Sequence, residues 1–320
     1  MRRYVALRIS QSLLVVAIMS FVIYMLIGLM PGDPIDIMIA SDPLMTAEDA
    51  AHLRSLYGLD LPIHERYLNW LSAVFAGDLG YSRLFNQPVI DILFPALLNS
   101  VKLLVFALLI SVSIAVPVGA LAAYRQRSVF DYSVNLIAFA GISIPQFWLG
   151  LMLIIGFAVI LGWLPAGGIA AEGAPFAEHL RYMLLPAATL TLASVGGHAR
   201  YIRSAMLEVL RQDYIRTARA KGASATRVIW RHGLRNALIP FVTILALDFG
   251  FLFSGALITE TIFAWPGMGK LIFDAIMGNY YNLALVALLL ATGLVLTGNL
   301  LADLCYAWLD PRIKVGEQAR

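Results

Sequence analysis

The residues best equipped for chemistry in this sequence are few, and they fall into two groups. One is a run of cations: residues 200–235 hold eight arginines and Lys221. The other is a handful of ionisable or nucleophilic side chains near or within uncharged tracts, among them Asp248, Asp303, His198, Ser254 and Cys305. A phosphate-binding loop needs a lysine followed by Ser or Thr, so that a charge and a hydroxyl meet the phosphates and their magnesium. The lysines are Lys102, Lys221, Lys270 and Lys314, and none has that neighbour. Gly267-Met268-Gly269-Lys270 has no nucleotide context around it. His52, His64, His179, His198 and His232 are scattered, with no pair at zinc-ligand spacing, so no metal site is expected. Ser254 and His198 raise the question of an intramembrane serine hydrolase, but no motif surrounds either. A lone cysteine rules out a disulfide framework. The expectation is a chain that is no enzyme and binds no cofactor of its own.

The setting of these residues is overwhelmingly apolar. Of 320 residues, 60% are hydrophobic and 13% charged, against about 25% charged in an ordinary soluble chain. A mean hydropathy of +0.79 means more apolar surface than one soluble core can bury. The chain therefore reads as an all-α polytopic membrane protein with the lipid bilayer as solvent. A net charge of +3 is too small to point to nucleic acid.

A membrane helix takes roughly 20 mostly apolar residues. Tracts free of Asp, Glu, Lys and Arg run over residues 9–30, 103–124, 132–171, 182–199 and 275–302, and residues 236–259 are broken only by Asp248. The stretch 132–163 would be about 48 Å long as one helix, against a hydrocarbon core of about 30 Å. It is either two spans joined at Ser143-Ile144-Pro145-Gln146 or one span kinked at Pro145. Charge chooses the second. With six spans, seventeen of the 23 bases fall on one side, together with both termini. The facing segment 31–98 has three arginines and nine acids. The positive-inside rule then puts both termini in the cytoplasm. The first tract is too long, and too poor in small residues at its end, for a cleaved signal.

Between the first two spans, residues 31–98 form a long external segment. Thr46 reads as the cap of a short helix that ends at Gly58, and Tyr67, Trp70, Leu71 and Phe75 sit on a second, amphipathic one. A lid with aromatics at the headgroup level and a docking surface are both compatible with that pattern. Inside the spans, Asp248 either lines a polar cavity or hydrogen-bonds a neighbouring helix. Asp303, near Asp310 and Arg312, fits an ion pair or a snorkelling side chain. On the cytoplasmic side, residues 200–235 read as helix, turn, helix: a short basic helix stopped by Gly222 in the left-handed conformation, then a second capped by Ser224. Positive-inside bias and anionic lipid explain bases there. They do not explain small residues, Ala218 and Ala220, clustered beside the turn. A partner protein that approaches closely does.

The string Glu208-Val209-Leu210-Arg211-Gln212-Asp213-Tyr214-Ile215-Arg216-Thr217-Ala218-Arg219-Ala220-Lys221-Gly222, continued by Arg231-His232-Gly233-Leu234-Arg235-Asn236-Ala237-Leu238-Ile239-Pro240, resembles the coupling loop of the dipeptide/oligopeptide ABC importer permeases. Other strings resemble that family along the whole chain: Pro31-Gly32-Asp33-Pro34, Tyr57-Gly58-Leu59-Asp60-x-Pro62, Gly77-Asp78-Leu79-Gly80-x-Ser82, Thr259-Glu260-Thr261-Ile262-Phe263-x-Trp265-Pro266-Gly267 and Asp310-Pro311-Arg312. The long external segment is similar to that of the B-type subunit. Importer loops in general carry Glu-Ala-Ala where this chain has Arg216-Thr217-Ala218, so a role for that Glu does not carry over to Arg216.

The resemblance implies a type I ABC importer permease fold. Residues 1–98 would be the first span and a periplasmic segment, 99–310 the transmembrane core with a coupling loop over 200–236, and 311–320 a cytoplasmic tail. It implies a multi-pass protein of a bacterial or archaeal inner membrane. Its partners would be a second homologous permease, two ATP-binding subunits that hold the ATP and magnesium, and an extracytoplasmic solute-binding protein. Asp213, Tyr214, Arg216, Thr217, Ala218, Arg219, Ala220, Lys221 and Gly222 would meet the ATPases. Gly58, Asp60, Tyr67, Trp70, Gly77, Asp78 and Gly80 would serve the binding protein, and Asp248 and Glu260 the pathway. Short peptides are the expected cargo, with glutathione or nickel as alternatives. An ion-coupled secondary transporter is a lesser alternative, since it would show several intramembrane carboxylates and repeated halves.

Overall fold

The computed structural model describes residues 2–29, 46–56, 60–82 and 85–309. The motif at 31–34, Gly58 and the motif at 310–312 lie outside the described residues, as do the side chains of Ser254 and Asp303.

The described chain is mostly helical. An uninterrupted apolar helix, α1 (Arg2–Gly28), leaves Leu13, Leu14 and Leu26 exposed, which a lipid-facing helix can do without penalty. Next come α2 (Ala47–Leu56) and α3 (Ile63–Phe75). Thr46 caps α2 reciprocally. Its Oγ1 accepts from the Asp49 N–H at 3.2 Å, while the Asp49 carboxylate accepts from the Thr46 N–H at 3.0 Å. A short antiparallel pair, β1 (Tyr81–Ser82) and β2 (Gln87–Pro88), leads into α4 (Val89–Tyr124).

Helix α4 ends where the second uncharged tract ends, but it starts well before residue 103 and runs through the division expected at residue 98. Charges mark where a helix leaves lipid, not where it stops: Asp91 and Lys102 are both on the helix. Ser128 caps α5 (Val129–Ser143) by accepting from the Asp131 N–H. Ile144 then turns extended ahead of Pro145, as the ring of a following proline demands. The chain resumes as α6 (Gln146–Leu153) and continues as a π-wound stretch over Ile154–Ile160. The two limbs are bent by 96°, a break far sharper than a proline kink.

Four elements complete the core: α7 (Phe176–Val209), α8 (Asp213–Ala220), α9 (Arg235–Ile262) and α10 (Met268–Met277), followed by α11 (Tyr281–Leu309). The helix expected after Ser224 is π-wound over Arg227–Leu234 and runs straight into α9. One expectation changes here. The last tract, 275–302, is not one helix. Gly278 closes α10, Asn279 takes a positive φ of 55°, and α11 starts afresh at Tyr281. A scan for charge does not register such a break, because Gly, Asn and Tyr are all uncharged.

α1, α4 and α11 are each long and apolar enough to cross a bilayer, and the bent pair makes a fourth if it is one crossing. α4 and α7 form the central pair. A Cβ on Gly119 would lie 2.4 Å from the Ala199 carbonyl oxygen, so the backbones touch where glycine allows it. One apolar cluster joins Val89, Leu93, Met268, Ile272 and Leu283 at one end of α4. Another joins Ala120, Ile202, Met206, Leu234 and Phe241 at its other end.

Candidate functional site

The basic segment forms a built surface. α8 begins with Asp213 in its first turn and has Arg219 in its last, each favourable to the helix dipole. It ends in a Schellman cap: the Gly222 N–H donates to the Arg219 carbonyl at 2.9 Å and the Ala223 N–H to the Ala218 carbonyl at 3.1 Å. That geometry puts Gly222 at φ +79°, where a side chain is strained although the space around it is open. The only buried residue of α8 is Ile215. The helix packs on the π-wound stretch, whose Val228, Ile229, Gly233 and Leu234 are buried. A Cβ on Gly233 would come 2.9 Å from Met206 Cε, so α7 sits directly behind.

Everything else on α8 faces outward. Asp213, Tyr214, Arg216, Thr217, Arg219, Ala220, Lys221 and Gly222 are exposed and Ala218 is half-buried. Tyr214 stands 43% exposed, and partial burial pushes its phenol up, so it remains a neutral hydrogen-bonding hydroxyl at physiological pH. The Arg216–Asp213 pair, 3.5 Å apart, is almost wholly solvated, and such a pair contributes little.

The residues expected to serve the external side divide differently. Asp60 is exposed. Tyr67 and Trp70 turn inward onto α1: Tyr67 shares a 2.7 Å hydrogen bond with Ser20 and meets Phe21 edge-on, while both rings contact Tyr24. Phe75, by contrast, is 83% exposed. Gly77 (φ +87°) ends α3 in a second Schellman cap. The Asp78 carboxylate accepts from the Gly80 N–H at 2.8 Å. A Cβ on Gly80 would strike Asn282 at 2.3 Å, and Asn282 donates to the Leu79 carbonyl. This turn is locked onto the start of α11.

The two acids expected in the pathway have unlike fates. Asp248, on α9, has a carboxylate oxygen 2.8 Å from His198 Nε2, and His198 Nδ1 lies 2.8 Å from Ser111 Oγ, with Ser194 a further 3.1 Å away. The Asp248 side chain remains 38% exposed while that of His198 is almost enclosed. Ser, His and Asp in a row have the order of a hydrolase triad, but Ser111 is fully buried between α4 and α7 and has no room for a scissile carbonyl. The chain ties three helices together and presents one half-open carboxylate.

Glu260 is fully buried and not at an open pathway. Its Oε1 accepts from Ser100 Oγ at 2.5 Å and its Oε2 from the Gly269 and Lys270 N–H groups at 2.7 and 3.1 Å. Ser100 Oγ in turn accepts from the Met268 N–H. A carboxylate at the start of α10 satisfies donors the helix itself leaves open. Gly267 has no room for a Cβ, which would sit 2.3 Å from that carboxylate. Trp265 Nε1 donates to the Asn99 carbonyl and Asn99 donates back to the Pro266 carbonyl. The string 259–267 is thus the wrapping of a buried clamp. Ser100, its partner on α4, carries no signal in the sequence.

Among the described residues no group of His, Cys, Asp and Glu is placed to hold a metal. A second ionic knot joins α5 to α7: Arg203 binds both oxygens of the buried Asp131, at 2.5 and 2.7 Å.

Residues 1–114 match the N-terminal family of binding-protein-dependent transport system membrane components, and residues 115–315 the family of binding-protein-dependent transport system inner membrane components. The chain is similar over nearly its full length to the oligopeptide transport system permease protein AppB of Bacillus subtilis (strain 168), at 40% identity, covering 94% of this chain and 95% of that one. It is 39% identical to the di/tripeptide transport system permease protein DppB of Pseudomonas aeruginosa (strain UCBPP-PA14), covering 91% and 92%. It is 37% identical to the dipeptide transport system permease protein DppB of Escherichia coli (strain K12), covering 90% and 91%.

Proposed function

Because the chain belongs to the family of binding-protein-dependent transport system inner membrane components, we propose that it is the half of an ATP-driven importer that converts movement of α8 into opening and closing of a peptide pathway. The protein is a multi-pass permease subunit of the inner membrane and performs no catalysis itself. In the proposed arrangement six spans leave both termini in the cytoplasm. A second, homologous permease completes the pathway. Two ATP-binding subunits, which hold the ATP and magnesium, dock on α8 and its counterpart, and an external binding protein delivers the solute over the 31–98 segment. The cargo is short peptides, the solutes named for the relatives above.

The observation that carries this reading is the construction of α8. Its outward residues find little to bind within the chain, yet Ile215 and the Gly222 cap fix it firmly to the segment that becomes α9. When the ATPases close, α8 is drawn with them. The π-wound stretch follows, and α9 with it; Met206 passes the movement to α7. His198 and Asp248 then link α7 to α9. ATP binding shifts the balance of two permease conformations only through contacts that differ between them, and α8 is where those contacts are made. Asp248 is the pathway group in this scheme.

Uptake by cells with and without the chain tests the proposal, using labelled di-, tri- and longer peptides, glutathione and nickel ion. Loss of short-peptide uptake is the expected result. Selective loss of glutathione or nickel would replace the cargo and keep the mechanism. Uptake that persists after the ATPases are depleted, driven by an ion gradient, would overturn the mechanism.

A further inference from the structure

A cavity of roughly 430 Å³ opens between α5 and α7, lined by Asn135, Phe139, Gly197, Arg200, Tyr201, Arg203 and Ser204. Its charges are not equivalent. Arg203 is neutralised by Asp131, and the Asn135 amide is also spent on Asp131. Arg200 lies over the Phe139 ring, 4.1 Å from its centroid, and among the described residues it meets no carboxylate. One guanidinium is therefore held in place by an aromatic face with its hydrogen-bond donors unspent.

Two adjacent glycines on α7 sharpen the point. A Cβ on Gly196 would come 2.8 Å from the Ala138 carbonyl oxygen, so packing requires glycine there. Gly197 has open space around it. Helix packing gives no reason for a second glycine, which costs about 1 kcal/mol relative to alanine inside a helix. Its missing side chain is what leaves the cavity floor clear.

The position selects the ligand. Arg200 is the first charge after the uncharged tract 182–199, which spans about 27 Å as a helix. That puts its side chain at the headgroup level of the cytoplasmic leaflet, in the orientation proposed above. On α5, which runs inward from its cytoplasmic end at Val129, Phe139 and Ile142 follow each other on the membrane side of the cavity, and they are 54% and 51% exposed. A cationic pocket next to an exposed apolar face matches an anionic phospholipid, phosphate above and acyl chain below. We propose that this cavity seats the headgroup phosphate of an anionic phospholipid, held by Arg200 and wedged between α5 and α7, with its chain along Phe139 and Ile142.

The test uses the assembled transporter, purified with its partner subunits in a nonionic detergent. It is titrated with phosphatidylglycerol, with phosphatidylcholine, and with phosphatidylglycerol in the presence of millimolar glycerol phosphate, and bound lipids are counted by native mass spectrometry. The wild type is expected to retain a phosphatidylglycerol that Arg200→Gln and Gly197→Leu each hold about tenfold more weakly, the usual order for one charge-assisted hydrogen bond. Arg125→Gln, the same charge change at an exposed position on the same side, should hold it as the wild type does. Leucine at 197 enters open space and favours the helix, so that variant separates a filled pocket from a misfolded chain. Equal retention by all variants, equal retention of phosphatidylcholine, displacement by glycerol phosphate, or no retained lipid in an intact wild-type complex (the face then being covered by the second permease) would each overturn the proposal. Lipid counting needs neither cargo nor ATP, so a failed uptake assay leaves it standing, and its own failure leaves the importer standing.

Discussion

The α8 surface and the Glu260 clamp are built from the same ingredients, short glycine-bearing motifs flanked by charge, and they do opposite things with them. In the clamp every polar group has a partner. Glu260 accepts from Ser100, Gly269 and Lys270, Trp265 donates to the Asn99 carbonyl, and Asn99 donates to the Pro266 carbonyl. On α8 the backbone is capped, but the polar side chains bond only within the helix itself: Ile215 alone is buried and the charged residues point outward. Both motifs resemble the same family in sequence. The difference teaches that such a resemblance does not by itself tell a fold requirement from a docking surface. The fate of the polar groups does.

If that contrast holds, the clamp should fail first and hardest. Glu260→Leu leaves the Ser100 hydroxyl and two N–H groups buried without an acceptor. Each buried donor left without an acceptor costs about 1–3 kcal/mol. The expected outcome is aggregated protein on detergent extraction, read by size-exclusion chromatography, and no uptake. Glu260→Gln keeps one acceptor and should be recovered in part. Monodisperse Glu260→Leu at normal yield would mean that the clamp is not what joins α4, α9 and α10.

Gly267→Ala is the next step down. Its Cβ would lie 2.3 Å from the Glu260 carboxylate, and overpacking of this kind costs about 1–3 kcal/mol. The matched change on the other side of the comparison is Gly222→Ala. It meets no atom and carries only the left-handed backbone penalty of about 1–2 kcal/mol. Thermal unfolding in detergent should therefore rank Gly267→Ala below Gly222→Ala. A reversal of that order would break the distinction between steric and conformational glycine.

Gly222→Pro sharpens the comparison from the transport side. Proline has no N–H for the bond to Arg219 and cannot adopt φ +79°. The spans should still insert, since none contains residue 222, while uptake falls at least about tenfold, the effect of losing about 1.4 kcal/mol of coupling. Normal uptake by an inserted Gly222→Pro protein would remove α8 from the coupling role.

How much of this was legible without coordinates depends on how far apart the partners lie. The short basic helix with its Gly222 stop, the Thr46 cap and the end of α4 before Arg125 are local patterns, and the structure contains each of them; α1, by contrast, runs on through Arg8 to Arg2. The clamp joins Glu260 to Ser100, 160 residues away, and to backbone N–H groups that have no letter in the sequence. Nothing beside Glu260 in the sequence marks those partners, so only the family resemblance assigns it a role, and it assigns the pathway. The contact of Asp248 with His198 was open to guesswork only as one of two alternatives, because 50 residues and a helix rotation separate them. The α10–α11 break failed for another reason: hydropathy scores composition, and a positive φ at Asn279 does not alter it.

The smallest effect is expected at Arg216, and it is the most discriminating. In the isolated chain Arg216→Ala removes one exposed pair with Asp213, worth at most a few tenths of a kcal/mol. Thermal unfolding and extraction yield should not change. In the proposed complex the same side chain lies on the face that α8 turns toward the ATPases, and co-purification of the ATP-binding subunits should fall severalfold, more so as salt is raised. A charge whose loss is silent alone and audible in the complex belongs to the partner. If Arg216→Ala leaves ATPase recovery unchanged at every salt concentration while Thr217→Trp abolishes it, shape and not charge governs the contact. Arg216 and Arg219, the exposed arginines of α8, would then answer to membrane topology alone.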